Sequence, residues 1–199
     1  MTLMEVLVAM ATVLVLIGAL MGIGSYVRTR GNIDLTQSML SVLTAALEQY
    51  YDDTSDFPFD TDVDGDGVLD NYLRDDLIND VSLSTGLGVS LNVTDLLEED
   101  GIGNNVSAAS SAALFYYLDK YPSSRSIAES VSNTLITNKH ADGTVIKMTL
   151  DVTPYDLPRY IDAWKMSIRY EYLTGTAFPV LTSAGPDKVF DTPDDITSQ

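Results

Sequence analysis

Asp62, Asp64, Asp66 and Asp70 alternate with small and apolar residues, a spacing that aims several carboxylates at one point. Gly67 permits the sharp turn this needs, Val68 offers a main-chain carbonyl, and Leu69 points toward a core. A set of oxygen donors of this kind suits calcium, which takes about six to eight of them. Leu73 stands where a further carboxylate would complete the set, and Asp60, Asp75 or Asp76 would have to substitute for it. A solvated acidic turn is the alternative reading. Glu5 is the second chemically notable group, a carboxylate inside an apolar run. Such a group costs about 2.5–3.5 kcal/mol near the centre of a bilayer, so it implies a partner or a purpose. His140 is the only histidine and there is no cysteine, so a zinc site or a nucleophile–histidine triad lacks its residues. Neither a nucleophile elbow nor a phosphate loop occurs. The chain is not expected to be an enzyme.

These groups need elements to position them. No charge lies between Glu5 and Arg28. As a helix at about 1.5 Å per residue that run is roughly 33 Å long, enough to cross a hydrocarbon core of about 30 Å. Gly18, Gly22 and Gly24 interrupt it, each costing up to about 1 kcal/mol relative to Ala. They are read either as a stretch, roughly 17–25, that loses helical hydrogen bonding in an assembly, or as small residues that let helices approach closely. Beyond Arg28 and Arg30 the pattern becomes amphipathic, with Ile33, Leu40, Leu43, Leu47 and Tyr50 at helical spacing. Pro58 and the acidic run after it are expected to stop this helix. Eleven basic against 29 acidic residues give a net charge of −18, which argues against a nucleic-acid partner and suits a solvated or cation-binding surface.

Met1-Thr2-Leu3-Met4-Glu5-Val6-Leu7 resembles the mature N-terminus of type IV pilins and type II secretion pseudopilins, with Met1 where Phe is usual. The resemblance implies a leader cut by a prepilin peptidase, storage in the inner membrane, and extraction by an assembly ATPase with a platform protein. It further implies a homopolymer in which the Met1 amine and Glu5 neutralise each other between neighbouring helices. Arg28 and Arg30 by themselves mark a cytoplasmic flank, whereas the resemblance places the following domain outside the cytoplasm. Ala45–Tyr51 with Phe57-Pro58 resembles the end of the long helix in major pseudopilins.

The family signal returns at Asp162-Ala163-Trp164-Lys165, similar to a pseudopilin Asp-Pro-Trp-Gly stretch, with Trp164 as a core anchor. Residues 179–196 closely resemble the C-terminal calcium loop of major pseudopilins. That resemblance implies carboxylates from Asp187, Asp194 and Asp195, help from Ser183, and carbonyls near Ala184 and Thr192. The ion would pin a tail that has no disulfide. The Asp62–Asp70 stretch resembles EF-hand, dockerin and thrombospondin-type loops, which makes one or two calcium sites in all.

The expected fold is α+β and type IV pilin-like: a long N-terminal helix packed on a small antiparallel sheet, with a loop-rich and helical insertion between. Residues 1–30 form the membrane and filament-core half; 31–199 form the head, including the amphipathic half 31–52. Residues 79–106 read as a loop-rich insertion carrying two glycosylation sequons, at Asn92 and Asn105. Helices are expected over 107–119 and from Ser124 to about Ile136, a strand over 144–152, a connecting loop over Tyr155–Tyr160, and a hairpin from 165–173 and 178–182. The function these imply is a subunit of an extracellular type IV pilus-like filament. A periplasmic type II secretion pseudopilus is the alternative, and a non-polymerising calcium-binding adhesion anchor comes third.

Overall fold

A computed structural model describes residues 2–58, 106–139, 147–150, 153–156, 158–172 and 177–199. Met1, the Asp62–Asp70 loop, both sequons and His140 lie outside the described residues. The fold is α+β. Helix α1 spans Leu3–Thr54 without interruption, 52 residues or about 78 Å at 1.5 Å per residue. It ends before Pro58 is reached, at Ser55, which turns into the left-handed region (φ 62°) and donates its N–H to the Tyr51 carbonyl at 2.7 Å. Thr54 adds a hydroxyl bond to the Tyr50 carbonyl. Helix α2 follows at Val106–Lys120 and α3 at Pro122–Ala128, with Pro122 in the first turn where its missing N–H is harmless.

Among the described residues all the strand pairs are antiparallel. Strand β1 (Ile136–Thr137) pairs with β4 (Arg159–Tyr160), and β2 (Lys147–Leu150) pairs with β3 (Thr153–Asp156). Strands β5 (Arg169–Glu171), β6 (Val180–Ser183) and β7 (Ile196–Thr197) form a three-stranded sheet in that order. The core lies between α1, α2 and this sheet. Leu40, Leu43 and Leu47 of α1, Leu114 and Leu118 of α2, Tyr170 and Leu181 of the sheet, and Tyr160 and Ile168 beside it are the fully buried large side chains among the described residues. Helix α2 meets the strands through hydroxyls. Ser110 Oγ both accepts from the Tyr170 N–H (2.9 Å) and donates to the Tyr170 carbonyl (3.1 Å), and Ser111 Oγ donates to the Tyr160 carbonyl (2.7 Å). Ser110 thereby satisfies the buried main-chain groups of Tyr170, and Ser111 adds a second bond to the Tyr160 carbonyl, which also accepts the Ile168 N–H at 3.2 Å.

The structure corrects three expectations about elements. The helix expected from Ser124 to Ile136 stops at Ala128 and is followed by a turn and a 3-10 segment, Asn133–Leu135. Ser130 Oγ donates to the Ile127 carbonyl at 2.6 Å and Ser132 Oγ accepts from the Thr134 N–H, local bonds that compete with helix propagation. The loop expected over Tyr155–Tyr160 contains β3 and β4 instead. Pro154 is tolerated because β3 belongs to a two-stranded ribbon, where every strand is an edge. The hairpin exists, but its first strand begins at Arg169 rather than Lys165, because Lys165 adopts φ 74° in a turn closed by Asp162.

Candidate assembly helix and C-terminal loop

Thr2 caps α1, and the Glu5 carboxylate reaches back to it: the Thr2 N–H donates to Glu5 Oε2 at 2.7 Å, and the Glu5 N–H donates to the Thr2 carbonyl at 3.0 Å. The sequence reading missed this role. Its signal was Thr-x-x-Glu, the spacing with which a carboxylate returns to a helix N-cap. Glu5 therefore has a partner in its own chain, at the positive end of the helix dipole. Whether it also meets the Met1 amine lies outside the described residues. Thr12, the other polar side chain in this part, folds its hydroxyl onto the Ala9 carbonyl at 2.8 Å.

From Leu3 to Gly18 every side chain of α1 is exposed, and Leu3, Met4 and Val15 are the most exposed of its apolar set. Among the described residues no helix is long and apolar enough to cross a membrane. The described side chains of the apolar run are continuous to Gly18, about 24 Å of helix at 1.5 Å per residue, and the run continues uncharged to Val27, with Tyr26 and Val27 again exposed. A Cβ added at Gly18, Gly24 or Gly31 would meet nothing within 4 Å, so no contact among the described residues explains these glycines. Gly22 belongs to the same unbroken helix.

The C-terminal loop runs from Gly185 to Asp195 and joins β6 to β7. Gly185 opens it at φ +66°, and a Cβ there would stand 2.4 Å from the Asp194 carbonyl oxygen. Only glycine allows the two ends of the loop to approach this closely. Asp194 Oδ2 accepts the Asp187 N–H at 3.2 Å and Asp194 Oδ1 accepts the Thr192 hydroxyl at 2.7 Å. The Thr192 hydroxyl also lies 3.4 Å from Asp195 Oδ1. Asp187 Oδ1 accepts the Val189 N–H, and Asp195 Oδ2 accepts the Asp191 N–H, both at 2.8 Å. The Thr192 hydroxyl above all, with the Asp187 amide, holds the Asp194 carboxyl below the usual carboxylate range, which keeps it ionised. The donors gathered here are all oxygens, the type a hard cation prefers. Among the described residues, however, no three Asp, Glu, His or Cys side chains converge as a metal group. The side chains brought together are Asp187, Thr192, Asp194 and Asp195.

Ser183 faces the other way. Its hydroxyl donates to Asp162 Oδ2 at 2.7 Å and accepts the Gly185 N–H at 3.2 Å, and Ala184 beside it is buried. Asp162, named above only as the start of the Asp-Ala-Trp-Lys resemblance, is fully buried. Its Oδ1 accepts the N–H groups of Trp164 (2.8 Å) and Met166 (2.9 Å), and next to it the Ala163 N–H donates to Thr36 Oγ1 of α1 (3.3 Å). Burial pushes this carboxyl up, against the pull of Ser183, Met166, Trp164 and the Lys188 charge. Trp164, expected as a core anchor, is half-buried in this turn and packs on the core from its rim. The tail beyond is held by the sheet: Ile196 is buried, the Ser198 N–H donates to the Leu181 carbonyl at 2.9 Å, and Leu181 N–H donates to Ser198 Oγ at 3.0 Å. No protein-family model, no curated protein and no solved structure matches this chain.

Proposed function

We propose that the chain is a structural subunit that polymerises through α1 into an extracellular filament of the type IV pilin class, with a pilin-like fold. One observation carries this reading. A single continuous helix is the core of a folded head in its second half and an exposed apolar rod in its first half. An apolar helix with no polar face is stable only when covered on all sides, by lipid or by copies of itself. Its polar groups at Thr2, Glu5 and Thr12 find partners within the helix, as an apolar surrounding demands. The family resemblance at residues 1–7 and 179–196 chooses between the covers: lipid first, then neighbouring stalks. The Met1 amine and Glu5 set the register, residues 17–25 yield or pack closely through their glycines, and no catalysis is involved. The peptidase, ATPase and platform protein implied by the resemblance would process and extract the subunit. Calcium would occupy the Asp62–Asp70 loop and the C-terminal loop, in the latter through Asp187, Asp194 and Asp195.

Electron microscopy of material sheared from unmodified cells, with mass spectrometry of the fibres, tests the reading. Long fibres of this chain are the expected result. Fibres only on overproduction would favour the secretion pseudopilus, to which the C-terminal motif is closest. No fibres in either case would refute polymerisation and leave a membrane anchor. Glu5→Ala should abolish fibres while leaving membrane insertion intact.

A further inference from the structure

Arg169 lies in β5, and its side chain is only 12% exposed. Its guanidinium reaches the loop between β6 and β7. Nη2 stands 2.8 Å from Asp191 Oδ1 and Nη1 3.3 Å from Asp191 Oδ2, a two-point contact. The guanidinium carbon lies 4.6 Å from the centre of the Phe190 ring, and Nε lies 3.5 Å from Glu171 Oε2. One side chain on a strand thus grips two consecutive residues at the far part of the loop. The loop needs such a grip, because Lys188 (φ 63°) and Asp191 (φ 67°) are non-glycine residues in the left-handed region. Conformations of this kind persist only where the surroundings hold them. The grip also reaches the acidic groups: the Asp191 N–H donates to Asp195 Oδ2, and Thr192, the next residue, touches Asp194 and Asp195 through its hydroxyl.

We infer that Arg169 latches the C-terminal loop from outside and, through Asp191, positions Thr192, Asp194 and Asp195 for a hard cation. Arg169 is a positioning residue. Asp191, whose charge is matched by the guanidinium, is not a ligand. The latch itself requires no ion, and only its effect on calcium rests on the calcium reading proposed above.

The test uses the full chain in detergent, as wild type, R169Q, D191N and the double variant. Timed proteolysis, read by mass spectrometry for cuts within 185–195, is run in chelator and across a calcium series. In chelator each single variant should be cut about two- to fivefold faster than wild type, because Asp191 is largely exposed and water screens the pair. The double variant should be cut no faster than the singles, since both remove the same interaction. Cutting of R169Q and D191N at the wild-type rate would overturn the latch; D191N changes an exposed residue, so this result cannot be blamed on misfolding. Calcium at half-protection should rise about two- to fivefold in both variants. Charge alone predicts the opposite for R169Q, because removing a cation beside an acidic loop strengthens calcium binding. Tighter binding by R169Q would therefore overturn the positioning role. Faster cutting in chelator with no protection by calcium in any form would keep the latch and remove calcium from this loop.

Discussion

Leu14 and Leu43 are the same residue type on the same helix, yet one is 69% exposed and the other is fully buried. The second half of α1 buries one stripe, Thr36, Met39, Leu40, Leu43, Ala46, Leu47 and Tyr50, and leaves Gln37, Ser38, Ser41 and Glu48 in solvent. This is the face a helix presents to a single partner on one side. The first half has apolar residues all round and no stripe. It does not fold against the head, because a helix that is apolar on every side gains little from covering one of them. The comparison teaches that α1 carries two kinds of interface in series, one met within the chain and one that must be met outside it.

The largest test of this contrast is a matched pair of truncations. Leu43→Ala should cost the head about 2–5 kcal/mol in an unfolding curve, whereas Leu14→Ala should leave head unfolding within about 0.5 kcal/mol of wild type. A large loss from Leu14→Ala would mean that the stalk folds back onto the head. Asp162→Ala should cost about 3 kcal/mol, because it strands the buried N–H groups of Trp164 and Met166 and the Ser183 hydroxyl. Asp162→Asn, which keeps an acceptor, should cost less, and equal losses would show that the charge matters more than the hydrogen bonds. Chelation sharpens the contrast, since both expected calcium loops belong to the head. At calcium a hundredfold above its dissociation constant, bound ion contributes about 2.7 kcal/mol. Chelator should lower head stability and leave stalk helicity unchanged, and an unaltered melting curve would count against both loops. Thr36→Val removes the acceptor for the Ala163 N–H where α1 enters the head, and should cost about 1 kcal/mol. Smallest is the cap at Glu5. Glu5→Ala should weaken the first turn by about 0.5–1 kcal/mol by circular dichroism, while Glu5→Gln, which still accepts from Thr2, should restore it. If Glu5→Gln keeps the helix but loses fibres, charge and capping are separate functions of one side chain.

Several of these features were legible in the residues alone. The uncharged run from Val6 to Val27, the stripe from Leu40 to Tyr50, helix α2 and the β5–β6 hairpin follow from patterns within one short segment. Helical and strand periodicity arise from backbone geometry that neighbouring residues share. The end of α3 was also local, but it depended on Ser130 and Ser132 preferring their own turn to the helix, which apolar spacing at Ile127, Val131 and Leu135 concealed.

What the chain alone determined, then, is that it has an acidic head on a long helix whose first half is apolar throughout, because charge and apolar content are properties of composition and period. Tertiary structure decided what holds the head together at its far end. Strand β7 is two residues long and exists because β6 is beside it. Asp162 is a hub because folding brings Thr36 and Ser183 to the same turn, from positions 127 residues before Ala163 and 21 residues after Asp162. Arg169 and Asp191 meet across 22 residues. No spacing rule links such pairs, since their proximity is made only when the chain closes on its core.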